Sequence, residues 1–187
     1  VPEPGLTVLK LGGAVCRDPS TRKAALEATG RLARRRRVLI VPGGGAFADE
    51  VRATQQAQGF SEDIAHWMAI LAMDQLARVI AAELGGSQLI HLRNEVEAVH
   101  DAGRIPVLAP HAWMRAADPL PHSWDITSDS IAAFVAGALD ATELILLKPV
   151  EGPLDALVDR GFATARPPGM RVRIATPATL EVGSAAS

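Results

Sequence analysis

The sequence predicts an α/β fold: a three-layer α/β/α sandwich around a mostly parallel central sheet. Three observations lead there. Short apolar runs alternate with helix-forming stretches, glycines and lysines stand where those runs end, and 187 residues with 48% hydrophobic and 21% charged content suit one globular domain.

Leu6 to Leu11 reads as the first strand, stopped by Gly12-Gly13. Thr21 to Arg34 is helix-forming and leads into a second apolar run, Val38 to Val41, which completes a β-α-β unit. The basic run Arg34 to Arg37 is expected as a solvated helix C-terminus, where positive charge complements the dipole. After Pro42 and Gly43-Gly44-Gly45, a helix is expected from Ala46 to Gln58, with Gly59 as its stop. Ser61 caps the next helix, with Glu62 and Asp63 in its first turn, and that helix runs to Leu84 as the central helix and a candidate subunit contact.

Gln88 to Leu92 and Ile105 to Leu108 are further short strands, separated by a helix near Glu95 to Ala102. Pro110 to His122 is expected as a proline-containing loop. A helix from the Asp125–Ser130 cluster through Leu139 precedes a buried strand, Glu143 to Leu147, closed by Lys148-Pro149. Beyond Pro153 the signals weaken to one strand, Arg171 to Ala175, and a flexible tail at 183–187.

A formal net charge of −2 offers no sequence-wide field for nucleic acid or anionic lipid, so neither is an expected partner. The one cysteine, Cys16, cannot form an internal disulfide, and Val1-Pro2-Glu3-Pro4 has neither the basic nor the apolar region of a signal peptide; both predict a cytoplasmic protein. The longest apolar stretch, around Ala65 to Ala72, is interrupted by His66 and Asp74, short of the roughly 20 residues a bilayer span needs. The five histidines show no paired metal spacing; His66 is expected on a helix surface, and Trp67, Met68 and Met73 in the core.

Ligands of such sheets bind outside the C-terminal ends of the strands, and Lys10, Gly12, Gly43 and Lys148 all stand at such ends. Gly43-Gly44-Gly45 lies between a strand and a helix, so the backbone can approach an anion and the helix N-terminus can offer it free N–H groups. Gly43, Gly45 and Ala48 also satisfy G-x-G-x-x-A, but the acidic strand end expected about 20 residues later in a dinucleotide site is replaced by the long helix. No glycine precedes a lysine, which removes a Walker A loop. Lys10-Leu11-Gly12-Gly13 sets an ammonium beside a second glycine turn, a pairing suited to a transferring phosphoryl group. The chain has only three lysines, Lys10, Lys23 and Lys148, so a lysine at a strand end carries more weight than generic surface charge. Asp125-Ile126-Thr127-Ser128-Asp129-Ser130 combines two carboxylates and three hydroxyls, more than capping requires, and suits substrate binding or a metal ion.

In order, Leu9-Lys10-Leu11-Gly12-Gly13, Val41-Pro42-Gly43-Gly44-Gly45, Asp125 to Ser130 and Leu146-Leu147-Lys148-Pro149-Val150-Glu151-Gly152 resemble the amino acid kinase superfamily, which includes aspartokinase, acetylglutamate kinase and uridylate kinase. Gly45 to Arg52, the Ala65-His66-Trp67-Met68-Ala69 helix and the Leu-Leu-Lys form of the last motif look most like the furan-methyl phosphate kinase branch of methanofuran biosynthesis, which makes a diphosphate from a phosphate.

The resemblance implies an ATP- and Mg²⁺-dependent kinase acting on a small phosphate- or carboxylate-bearing acceptor, and a homo-oligomer. Lys10 then stabilises the transferring phosphoryl group, Asp129 orients the lysines and Lys148 acts as a second cation. Gly12, Gly13, Gly43, Gly44, Gly45, Thr127 and Ser128 bind phosphate or acceptor, and Asp125 contacts the acceptor or Mg²⁺. Residues 6–152 form the acceptor and phosphate core, and 153–182 a reduced nucleotide side, a fold shortened at its C-terminus. Relatives usually carry a further lysine in a longer adenine-binding segment, so the alternative is a non-catalytic nucleotide- or oxyanion-binding relative, or a subunit completed by a partner.

Overall fold

The computed structural model describes residues 3–181. Its strands are β1 (Glu3–Leu11), β2 (Arg36–Pro42), β3 (Ser87–Ile90), β4 (Ile105–Leu108), β5 (Glu143–Leu147) and β6 (Val172–Ala175). They form one sheet in the order β3-β4-β2-β1-β5-β6, and every neighbouring pair is parallel. Helices α1 (Pro19–Ala33), α2 (Gly45–Gln58), α3 (Glu62–Glu83), α4 (Glu95–Asp101), α5 (His111–Ala117), α6 (Ser128–Ala138), α7 (Leu154–Leu157) and α8 (Phe162–Ala165) flank it. The expected parallel α/β sandwich is the observed fold.

Strand periodicity sorts the core into two layers. Leu6 and Val8 of β1, Leu39 and Val41 of β2, and Leu144 and Leu146 of β5 pack into a cluster with Ile131, Ala132, Val135 and Ala136 of α6. Their alternates, Leu9, Leu11, Val38, Ile40, Ile145 and Leu147, pack with Ala25, Leu26, Ala28 and Leu32 of α1 and Ile80 of α3. Both faces are buried, which is why these strands read as continuous apolar runs. Because side chains alternate with period two, Lys10 and Lys148 fall on the parity of Val8 and Leu146, the face that α6 covers.

Four expectations change. Pro110 to His122 contains α5, a seven-residue helix bracketed by Pro110 and Pro119, whose N-terminal His111 N–H donates to the Asp74 carboxylate (2.9 Å). The run Arg34 to Arg37 is not a solvated helix end throughout: Arg36 and Arg37 open β2, and Arg36 is buried against Glu143 at 2.7 Å. The segment after Pro153 holds α7 and α8, too short for periodicity to announce. Finally, α3 is long and apolar enough by length and composition to cross a membrane, yet it is a core helix whose Ile70, Met73, Leu76 and Ile80 are buried. The tail expected at 183–187 lies outside the described residues.

Candidate active site

Strand ends β1, β2 and β5 deliver the site. Lys10 is 4% exposed although charged, and its Nζ lies 2.8 Å from Asp129 Oδ1; Lys148 Nζ donates to Asp129 Oδ2 at 2.7 Å. Asp129 is the second residue of α6, where the helix dipole favours negative charge. Burial alone would raise its pKa, but the Lys10 and Lys148 ammoniums prevail and hold the carboxyl below its ordinary range. Lys148 is shifted down, first by burial and then by repulsion from Lys10, against the pull of Asp129. Oδ1 of Asp129 is buried, and its contact there is the ion pair with Lys10. Two cations share one anion, leaving the cluster an excess of one positive charge.

The glycine turns sit against this cluster. A Cβ added to Gly12 would lie 3.8 Å from Lys10 Nζ. One added to Gly13 would lie 2.5 Å from the Gly45 nitrogen and one on Gly43 2.6 Å from the Gly13 nitrogen, so the two turns touch backbone to backbone. Not every amide expected to face a ligand is available. The Gly12 N–H donates to Leu147 O (3.1 Å) and the Gly43 N–H to Leu11 O (2.8 Å), which extends the sheet by one residue on each strand. The N–H groups of Gly13 and Gly44 have no acceptor among the described residues, and Gly45 opens α2 with φ +56°, its amide one of the unsatisfied first-turn donors.

Thr127 and Ser128 line a cavity of about 160 Å³ next to these turns. The Thr127 N–H and hydroxyl are committed to the Asp159 carboxylate at 2.9 and 2.7 Å; Ser130 donates to Asp159 as well, through its N–H (3.1 Å) and its hydroxyl. Asp159 thus caps α6 from 30 residues downstream and fixes the turn that presents Asp129; no local pattern marks it. Asp125 is not brought to the lysines. Its side chain is exposed and pairs with Arg160 at 3.4 Å.

The cavity has two walls that sequence reasoning overlooked. From α2 come Gly45, Ala48, Asp49 and Arg52, spaced i, i+3, i+4 and i+7; from α3 come Glu62, His66, Ala69, Ile70 and Met73. Arg17 lines it too and pairs with Asp49 at 2.6 Å, while the Arg52 guanidinium lies 4.2 Å from the Trp124 ring centroid. His66 is therefore no surface residue: it is 9% exposed and stacked at 4.3 Å on His122. Burial and then the nearby His122 lower its pKa to about 4. Met73 is in the core as expected, but Trp67 and Met68 are half-buried.

For a polyphosphate the donors fit: free amides at Gly13, Gly44 and Gly45 beside two ammoniums. For a protein-held metal they do not. Asp129 is taken by the lysines, Asp125 by Arg160, and no cluster of three potential ligands occurs among the described residues. A divalent cation here would be carried on ligand phosphates.

Residues 5–157 match the sequence profile described as the amino acid kinase family. The [5-(aminomethyl)furan-3-yl]methyl phosphate kinase of Methanocaldococcus jannaschii is 33% identical over 154 residues, covering 79% of this chain and 68% of the relative. The uridylate kinase of Methanothrix thermoacetophila is 28% identical over 149 residues, covering 79% and 63%. The chain thus spans about two thirds of the length of these curated relatives. Among solved structures, the UMP kinase of Bacillus anthracis superposes with a TM-score of 0.69 at 13% identity over 95% of this chain and 89% of that one, a likeness of fold.

Proposed function

Because the chain belongs to the amino acid kinase family and is a phosphotransferase, we propose that it transfers the γ-phosphoryl group of ATP to a small acceptor whose attacking oxygen is already ionised, a phosphate or carboxylate. The carrying observation is the Lys10–Asp129–Lys148 cluster set against the touching glycine turns. In the step, an acceptor oxygen bonds to the γ-phosphorus as the bond to the bridging oxygen breaks, giving a diphosphate or acyl phosphate and ADP. Charge on the outer phosphoryl oxygens is met by Lys10, Lys148 and the free glycine amides, so positioning and electrostatics supply the catalysis.

An anionic nucleophile needs no general base, and Asp129, held as a carboxylate between two ammoniums, is not suited to be one. The cavity, at about 160 Å³, is below the roughly 300–1,000 Å³ of drug-sized sites, which suits a small acceptor. Mg²⁺ enters as the companion of the ATP phosphates. Self-association through α3, which exposes Ile64 and Leu71 one heptad apart, is part of the same proposal, with sedimentation as its measurement.

The test is direct. Purified protein with ATP, Mg²⁺ and [5-(aminomethyl)furan-3-yl]methyl phosphate, the acceptor in the relative's name, should yield ADP and a diphosphate in equal amounts. No phosphoryl transfer to this compound, to UMP or to small carboxylates would refute the reading.

A further inference from the structure

The cavity wall supplied by α3 is graded. Glu62 and His66, one turn apart, occupy its outer end; Ala69, Ile70 and Met73 continue the same stripe inward; and Leu76, the next member, comes within 3.3 Å of a Cβ built on Gly45. The anion-binding turns therefore close the inner end, apolar side chains line the middle, and two polar side chains stand opposite. From His66 to Met73 the helix rises about 10 Å, the span of one small ring with a short arm on each side.

The charges at the outer end are unevenly satisfied. Arg17 is paired with Asp49, and Arg52 lies on the Trp124 ring. Glu62 has no ion-pair partner among the described residues, and Arg52, on the same cavity, is not within pairing distance of it. His66 is more than nine-tenths buried, yet neither ring nitrogen has a hydrogen-bond partner among the described residues, and neither is among the fully enclosed unsatisfied atoms; its polar edge opens to the cavity. Behind it, His122 is held between Asp63 (2.5 Å) and Asp118 (2.8 Å), so this end sets four carboxylates, Glu62, Asp49, Asp63 and Asp118, against the Arg17 and Arg52 guanidiniums and His122.

We propose that Glu62 and His66 form an ammonium-binding subsite, which selects acceptors carrying a cationic amine at the end opposite the group that receives the phosphoryl. The proposal rests on the acceptor reading above and adds the residues that read the acceptor's far end. Glu62 supplies the opposing charge and a neutral His66 ring nitrogen accepts one N–H. The apolar stripe between them and the glycine turns measures the spacer.

Calorimetry tests this with two probes: [5-(aminomethyl)furan-3-yl]methyl phosphate and the analogue with methyl in place of aminomethyl. The wild-type protein should bind the amine at least about tenfold more tightly, the size of one charge-assisted hydrogen bond. In Glu62→Gln, an exposed and isosteric change, the ratio of the two dissociation constants should collapse to within about twofold of one. His66→Phe, which keeps the ring stack and removes the nitrogen, should lower the ratio too. Equal binding of the two probes by the wild type, binding of neither, or an unchanged ratio in Glu62→Gln overturns the subsite. Failure of phosphoryl transfer with both probes, with UMP and with small carboxylates would refute the kinase reading while leaving the binding ratio to judge the subsite.

Discussion

Lys10 and Asp129 meet at 2.8 Å in a pocket where their side chains are 5% and 6% exposed, a contact that joins the end of β1 to the first turn of α6 across 119 residues of sequence. Charges this deep are stable only in company, because each alone would keep its desolvation cost.

Replacing Asp129 by Asn should therefore strand two buried ammoniums close together. The expected cost is about 3–5 kcal/mol of folding stability, the range for breaking a buried pair. A urea midpoint in Asp129→Asn equal to that of the wild type would show that the cluster is more solvated than its burial indicates.

Lys10→Met removes the cation while keeping most of the packed stem. Turnover should fall by about 10²–10³, the usual effect of deleting one electrostatic stabiliser of a transition state, with a smaller change in acceptor KM. A variant with near-normal kcat would take Lys10 out of the chemistry.

Gly13→Ala tests the contact between the turns. The new methyl would sit 2.5 Å from the Gly45 nitrogen and 2.7 Å from its Cα, so one loop must move and nucleotide affinity should drop markedly. At Gly59 a Cβ meets nothing within 4 Å, and only its φ of +73° is strained. Gly59→Ala should cost about 1 kcal/mol of stability with nucleotide affinity unchanged, so titration of both variants with an ATP analogue separates a local strain from a broken cradle.

Acid should weaken the fold in a window that His66 sets. Its ordinary value is 6.5 and the folded value about 4, so the unfolded chain takes the proton more readily. Stability is full above about pH 6.5 and is lost as pH falls toward 4. His122 is raised by its hydrogen bond to Asp118, so its contribution has the opposite sense, present at low pH and lost as pH rises through its folded value. In urea titrations at pH 7 and 5, His66→Phe should lose less stability on acidification than the wild type; equal losses would assign the effect elsewhere.

Much of the fold was legible because each strand is an apolar run bounded by glycine, proline or lysine, and each long helix has a cap or stop that local chemistry sets, as at Ser61 and Gly59. The short elements were not. A helix of four or seven residues, such as α7 or α5, is stabilised by tertiary contacts that no window of sequence contains. At the site, the parity of Lys10 and Lys148 could be read from the strands, while their convergence on Asp129 was implied by the family resemblance. Asp159 and the Arg52–Trp124 contact could not, being matters of how distant segments dock. The cavity stripes on α2 and α3 were readable in principle, since Ala48, Asp49 and Arg52 follow Gly45 at helical spacing, but only the structure shows which face of each helix meets the ligand side. Gly12 shows the converse: its sequence context is that of an anion hook, whereas its amide finishes the sheet.

The most direct measurement is a crystal structure with a non-hydrolysable ATP analogue and Mg²⁺. The account predicts the terminal phosphate within about 3 Å of Lys10 Nζ and of at least one free amide of Gly13, Gly44 or Gly45. An analogue bound with its phosphates away from Lys10, or no analogue bound at millimolar concentration, would contradict it.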